Sequence, residues 1–263
     1  MSKPKGLDPE IYSYTQGEGP HVILIHGMGS STHSWEFIGP ALVEAGYQIH
    51  ALDLLGHGQS AKPSNPDNYH IDSVYRLAHD WIESHSFKGP VWLMGHSMGG
   101  YISLQYALDH PKKVRKMTLI SPFFNPRQLT PGLQAATRNP SVSARVIEKI
   151  PNWAVTPFVK YNKNIAAGLP GESIDKMTED FKRIHPNILL TAPSTRDLTP
   201  RLGKIKVPTQ VIWGQQDRTL RPDYFTDLVR ELPNAAGKWL PNCGHTPHLT
   251  HSSKLIPWIL GDS

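Results

Sequence analysis

The chain has 263 residues, a formal net charge of +5 and a single cysteine, Cys243. This length suffices for one large α/β domain, or for one domain carrying an insertion, with a sizeable buried core. The lone cysteine excludes an intramolecular disulfide and is typical of a reducing compartment. Because Lys and Arg are scattered along the chain, the positive charge does not indicate a nucleic-acid partner.

The amino-terminal decapeptide MSKPKGLDPE has no apolar stretch of the kind needed for export. No later segment approaches the ~18 consecutive apolar residues of a membrane span. We therefore expect a cytoplasmic protein with no membrane partner, and the sequence leaves its oligomeric state open.

Apolar runs separated by helix-length segments predict a mostly parallel sheet that is covered by helices on both faces. An earlier edge strand is predicted over Ile11 to Thr15, before the turn residues Gln16 to Pro20. The buried strands are predicted at Val22 to Ile25, Tyr47 to Leu52, Val91 to Met94, Met117 to Ser121 and Thr209 to Trp213.

The pentapeptide GHSMG, residues 95 to 99, follows one of these strands and precedes a predicted helix. A serine on a sharp strand-to-helix turn needs small neighbours two residues before and after it, because its backbone is strained and closely approached. The pattern alone is common. In this context it makes Ser97 a candidate nucleophile.

A serine hydroxyl needs a histidine to take its proton and a carboxylate to orient that histidine. Asp217 lies just past the end of the strand Thr209 to Trp213, in the loop GQQD. His245 lies in the loop NCGH, which follows the short strand ending at Trp239 and Leu240. We expect both at the same sheet edge as Ser97, as acid and base.

The chain order Ser, Asp, His resembles that of the α/β-hydrolase superfamily, and the resemblance runs from about Ile11 to the C-terminus. It rests on five ordered motifs: HGMG at 26–29, DLLGHGQS at 53–60, GHSMGG at 95–100, WGQQD at 213–217 and GHTPHL at 244–249. It implies an α/β-hydrolase fold with an oxyanion hole formed by the backbone N–H groups of Met28 and Met98. The short segment before Ile11 departs from the family pattern, so we expect a shortened or missing first strand.

Ten of the 24 prolines fall between residues 122 and 200, which excludes long helices there. Short helices are predicted at Ser141 to Ile150 and at Ser173 to Ile184, the latter capped by Ser173. The position matches the helical cap of many α/β-hydrolases, so we expect a core of residues 1–121 and 201–263 with a cap of residues 122–200. Candidate substrate-lining residues, each also explicable as cap core, are Phe123, Phe124, Trp153, Phe158, Met177 and Phe181.

Several other residues imitate catalytic or metal-binding groups. Asp53 and Asp197 do not combine a strand-end position with the family pattern, and DLLGHGQS reads as a structural loop. The tract His245, His248 and His251 lacks the HExxH pattern and orienting carboxylates, so no metal is expected. Cys243 beside His245 is interpreted as a small loop residue. No nucleotide, flavin or other cofactor is implied.

These residues predict a cofactor-independent serine hydrolase that cleaves carboxylic esters with an apolar acyl or alcohol group. The same groups also fit a carbon–carbon hydrolase of ring-fission products or a lactonase. A carbon–carbon hydrolase needs a pocket group for a substrate carboxylate, and none is assignable among Arg127, Arg138, Arg145 and Lys160. A small-molecule receptor with vestigial hydrolysis is the alternative from another class.

Overall fold

The computed structural model describes residues 9–261 and contains one seven-stranded sheet in the order β1-β3-β2-β4-β5-β6-β7. Strand β1 runs antiparallel to β3, and the other neighbours pair in parallel. The strands are β1 Ser13–Gln16, β2 His21–Ile25, β3 Gln48–Leu52, β4 Val91–His96, β5 Val114–Ile120, β6 Thr209–Gly214 and β7 Ala235–Leu240.

The expected mostly parallel sheet is confirmed, with small shifts at the strand ends. β5 begins three residues before the predicted Met117, because Val114 pairs with Val91 and is itself buried. β1 forms the antiparallel edge, and residues 9–12 contain no strand. The expected loss of a strand before β1 also concerns residues 1–8, which lie outside the described residues.

Outside the segment between β5 and β6, residues 9–261 form six helices: α1 Ile38–Glu44, α2 Ile71–Ser84, α3 Met98–Asp109, α9 Tyr224–Glu231, α10 Pro247–Thr250 and α11 Ser252–Leu260. Five of them pack on the two faces of the sheet. Against one face lie α2, α3 and α9, where Leu77, Leu104 and Leu228 join a core with Ile23 and Leu119. Against the other lie α1 and α11, where Leu42 and Leu255 pack with Trp35. None of the helices within 9–261 combines the length and apolarity needed to cross a bilayer.

Between β5 and β6 the described chain forms five helices, with short 3₁₀ turns before and after them. We call residues 122–200 the helical insertion. Its helices are α4 Pro131–Arg138, α5 Pro140–Glu148, α6 Asn152–Tyr161, α7 Lys163–Ala166 and α8 Gly171–Arg183. The predicted cap at Ser173 is wrong: α8 begins after Pro170, whose extended backbone precedes the first turn, and Ser173 is buried inside the helix.

Candidate active site

Ser97 lies on the turn between β4 and α3 with φ 51° and ψ −113°, a strained backbone conformation for a residue with a side chain. The turn is fixed on both sides, because its N–H donates to the Ile120 carbonyl at 3.0 Å and its carbonyl accepts from the Phe123 N–H at 2.9 Å. A Cβ on Gly99 would come within 2.0 Å of the Ile25 carbonyl oxygen. The elbow therefore requires glycine where the sequence has it.

Asp217 and His245 meet at the carboxyl ends of β6 and β7. The His245 Nδ1 lies 2.7 Å from Asp217 Oδ2, and both side chains are almost wholly buried. Asp217 Oδ1 accepts the N–H groups of Thr219 at 2.8 Å and Leu220 at 3.0 Å, while the Trp213 Nε1–H donates to Oδ2 at 3.0 Å. These donors fix the carboxylate, which in turn fixes the plane of the imidazole.

His96, the second residue of GHSMG, connects the elbow to the His245 loop. Its Nε2–H donates to the His245 carbonyl at 2.9 Å, and the two rings lie 4.9 Å apart. Burial holds the pKa of His96 well below its usual range, so the ring is neutral. The sequence analysis assigned no role to His96, although its place beside the serine was the available signal.

The HGMG loop approaches the elbow closely. A Cβ on Gly27 would lie 2.9 Å from the Ser97 Cβ and 2.8 Å from the His96 Nδ1, so only glycine fits. Met28 follows in the same loop. Met98 is the first residue of α3, and a helix leaves its first N–H groups without an intrahelical acceptor. Both backbone donors expected from the sequence thus belong to segments that adjoin Ser97.

His26 has a structural role in the same loop. Its Nδ1–H donates to the Gly27 carbonyl at 2.7 Å, and its Nε2 accepts the Leu54 N–H at 2.9 Å. Burial lowers the pKa of this imidazole to about 4. Since both ring nitrogens bind backbone atoms, His26 joins the loops that follow β2 and β3.

Asn164, on α7 of the helical insertion, links the two loops that carry Asp217 and His245. Its carbonyl accepts the His245 N–H at 2.7 Å, its side-chain Oδ1 accepts the Arg218 N–H at 2.8 Å, and its Nδ2 donates to Thr219 Oγ1 at 2.8 Å. Sequence reasoning missed this residue, because no motif marks a contact between segments that are over 50 positions apart.

Helix α8 is attached to the loop after β2 through a buried carboxylate. Asp180 Oδ2 accepts the Ser31 hydroxyl at 2.8 Å, and Oδ1 lies 3.2 Å from His33 Nδ1. The hydrogen bond to Asp180 raises the pKa of His33. One residue further on, the Phe181 ring lies over Gly29, where an added Cβ would meet it at 3.1 Å. The insertion therefore covers part of the HGMG loop.

The residues expected to line the pocket divide into three groups. Phe123 and Phe124 are buried in the core, where Phe124 contacts the Tyr224 ring edge-on at 6.0 Å between centroids. Met177 and Phe181 are half-buried on α8. Trp153 and Phe158 differ from the expectation, because 78% and 57% of their surface is exposed.

The other residues that imitate catalytic or metal-binding groups in the sequence have structural roles. Both Asp53 oxygens accept backbone N–H groups, from Thr32 at 2.7 Å and Gln59 at 2.8 Å. Burial raises the pKa of the Cys243 thiol to about 11, which disfavours a thiolate at neutral pH. His248 Nε2 bonds to Ser34 Oγ at 2.7 Å instead of converging with His245.

One group with metal-ligand spacing was found within residues 9–261, formed by His79, Glu83 and His110. His110 follows the C-terminal end of α3, so the group lies at the end opposite to Ser97. The Glu83 carboxylate is already paired with Lys113 and with the Tyr106 hydroxyl.

A serine elbow after β4, with an Asp–His pair beyond β6 and β7 on a mostly parallel sheet, defines the class of α/β-hydrolases. The family model described as alpha/beta hydrolase fold matches residues 20–146. Lipase 3 of Moraxella sp. (strain TA144) is 28% identical over 87% of this chain and 72% of its own length. The 2-hydroxy-6-oxo-6-phenylhexa-2,4-dienoate hydrolase of Burkholderia cepacia is also 28% identical, over 94% of this chain and 89% of its own.

Among solved structures, an esterase from Exiguobacterium antarcticum superposes with a TM-score of 0.82 at 20% identity, covering 96% of this chain and 95% of the esterase. At this identity the match concerns the fold alone. It shows the α/β-hydrolase fold, and the family model and the relatives, which are hydrolases, support placing the chain in the α/β-hydrolase superfamily.

Proposed function

We propose that the protein is a cofactor-independent serine hydrolase of carboxylic esters with an apolar acyl or alcohol group. The observation that supports this most directly is the buried 2.7 Å contact between His245 Nδ1 and Asp217 Oδ2, at the same sheet edge as the strained Ser97 elbow. With Nδ1–H held by the carboxylate, Nε2 is left as the proton acceptor that a serine nucleophile requires.

In the proposed mechanism Ser97 Oγ attacks the ester carbonyl while His245 Nε2 takes its proton. The N–H groups of Met28 and Met98 stabilise the oxyanion of the tetrahedral intermediate. His245 then gives the proton to the leaving alkoxide, which departs as the alcohol and leaves the acyl group on Ser97. A water molecule, deprotonated by His245, releases the acid and restores the serine.

The helical insertion is proposed as a cap over this site. Its support is the direct contact of α7 with the His245 loop and of α8 with the HGMG loop. Phe181 and Met177, both half-buried on α8, are the best-placed of the expected substrate-lining residues.

The first test is steady-state hydrolysis of nitrophenyl esters of increasing acyl length, with the Ser97→Ala protein beside the unchanged one. We expect multiple turnovers that are lost in Ser97→Ala, with near-native far-UV circular dichroism in both. The preferred acyl length measures the pocket. Turnover that persists in Ser97→Ala contradicts the proposed nucleophile.

Carbon–carbon bond hydrolysis is the second candidate, favoured by the similarity to the Burkholderia cepacia hydrolase over nearly the whole chain. It would use the same Ser97, His245 and Asp217. Loss of a dienoate chromophore in the presence of the protein, without turnover of any nitrophenyl ester, would favour it over the ester hydrolase. Lactone hydrolysis is a third use of these groups, and a receptor role would show tight binding with at most one slow release event.

A further inference from the structure

The exposed apolar side chains of this protein are concentrated in one part of the helical insertion. Within residues 9–261, every exposed large apolar side chain lies on or next to α4, α5 and α6. They are Leu133, Val142, Val146, Ile150, Trp153, Phe158 and Tyr161. Soluble proteins seldom expose large apolar groups together unless that surface binds something.

The positive charge has the same location. Residues 127–163 contain six Lys or Arg and one Glu, whereas the remainder of the chain holds equal numbers of basic and acidic residues. The whole formal net charge of +5 therefore belongs to this segment, although the basic residues look scattered along the sequence. All six basic side chains are exposed: Arg127, Arg138, Arg145, Lys149, Lys160 and Lys163.

The two kinds of side chain share helix faces. On α5, Val142, Arg145, Val146 and Lys149 follow the i, i+3, i+4, i+7 spacing of one face, with Lys149 just after the last helical residue. On α6, Trp153 and Tyr161 are eight positions apart, about 80° around the helix, and so belong to one broad face. Lys160 lies beside them, with its Nζ 5.8 Å from the centre of the Tyr161 ring.

Exposed aromatic and aliphatic groups among cations fit the boundary between lipid headgroups and acyl chains. At this boundary Trp and Tyr side chains are favoured, and Lys and Arg side chains contact anionic headgroups. From this charge complementarity we infer that α4, α5 and α6 form a docking surface for an anionic phospholipid membrane. This docking surface would hold the candidate active site beside a lipid phase. The sequence analysis predicted no membrane partner, so the two expectations differ.

Trp153 provides a spectroscopic test of this docking surface. All seven tryptophans are among the described residues, and Trp153 is the one that is exposed; four are fully buried, and Trp239 and Trp258 are half-buried. With phosphatidylcholine vesicles that contain phosphatidylglycerol, we expect co-sedimentation and a blue shift of tryptophan emission. Trp153→Phe should still bind and should lose most of that shift.

Charge reversal tests the cationic part. Each Lys or Arg near an anionic surface contributes about fivefold to binding, so Arg145→Glu with Lys149→Glu should weaken it at least about 25-fold. The matched control is Lys88→Glu with Lys112→Glu, which changes the net charge equally at exposed positions. Lys88 and Lys112 lie in the loops before β4 and β5, at the sheet edge opposite to Ser97. Added salt should weaken the binding of the unchanged protein.

Each opposing result overturns the proposal. No binding to anionic vesicles removes it, and an equal loss in both double variants reduces it to an effect of net charge. An emission spectrum unchanged on binding places the contact elsewhere. Sedimentation as a dimer without lipid, with the same Trp153 blue shift, makes a second copy of the chain the occupant. Because no substrate is needed, these outcomes are independent of the proposed ester hydrolysis.

Discussion

Gly27 illustrates how closely the candidate site is packed at the level of single residues. An added Cβ there would press on both the Ser97 Cβ and the His96 ring. Neither neighbour is the free end of a flexible side chain, because Ser97 is fixed by backbone hydrogen bonds and His96 by the His245 carbonyl. The HGMG loop would have to move away from the elbow.

If Met28 is the proposed oxyanion donor, Gly27→Ala should therefore lower kcat by about 100-fold or more, since displacing one such donor has an effect of this size. The expected change is mainly in kcat, because the donor acts on charge that develops in the transition state. Gly132→Ala is the matched control, as an added Cβ on α4 meets no atom within 4 Å. Equal kcat values for the two variants, measured with a nitrophenyl ester, would refute the assignment of this loop.

At the scale of secondary-structure elements, α7 joins the helical insertion to the loops that carry Asp217 and His245. Asn164 binds the Asp217 loop through its side chain and the His245 loop through its backbone. The amides of Thr219 and Leu220 that hold Asp217 Oδ1 belong to the loop that Asn164 supports. Loosening this contact should change the orientation of the proposed acid and base, Asp217 and His245.

Asn164→Ala removes the side-chain hydrogen bonds to Arg218 and Thr219 and should lower kcat/KM by about tenfold, which corresponds to about 1.4 kcal/mol. Asn164→Asp keeps the acceptor for Arg218 and adds a negative charge near His245. A nearby carboxylate favours the imidazolium, so the acid limb of the kcat/KM profile should move to higher pH in this variant alone. A profile that keeps its shape in Asn164→Asp would leave Asn164 with a purely structural role.

The sequence predicted those elements whose cause is local. Continuous apolar runs are sufficient for the central strands, and the elbow requires Gly95 and Gly99 around Ser97 wherever it occurs. Asn164 and Asp180 were not predictable in this way, because their partners are distant in sequence and polar residues in a proline-rich segment carry no periodic signal. The exposure of Trp153 was also missed, since an apolar residue is assigned to a core by default.

At the scale of the whole molecule, buried neutral histidines should make the fold sensitive to acid. Burial lowers the pKa of His57 and of His248 to about 3 and that of His26 to about 4, while that of His96 is well below its usual range. Unfolded imidazoles titrate near pH 6.5. Between about pH 4 and 6 these four imidazoles therefore bind up to four more protons in the unfolded chain than in the folded one, and their contribution to stability falls as the pH falls.

The free energy of unfolding should decrease by about 5 kcal/mol per pH unit in this range, at about 1.4 kcal/mol for each histidine. Because native domains have only about 5–15 kcal/mol in total, we expect unfolding by about pH 4. Urea denaturation at several pH values measures the slope. His57→Gln, which retains a donor for the Leu55 carbonyl that His57 Nδ1 contacts at 2.9 Å, should reduce it by about a quarter. A free energy of unfolding independent of pH would contradict this account.

In the proposed cap, the buried carboxylate of Asp180 would determine how readily α8 separates from the loop after β2. A contact made of apolar side chains resists separation in proportion to the apolar area that separation exposes to water. A carboxylate that leaves Ser31 and His33 exchanges those bonds for bonds to water, so much of its interaction energy is recovered on departure. If the helical insertion opens as the proposed cap, a polar contact of this kind would align its closed position while keeping the barrier to opening low, as the proposed hydrolysis requires of a site that admits one molecule and releases two products.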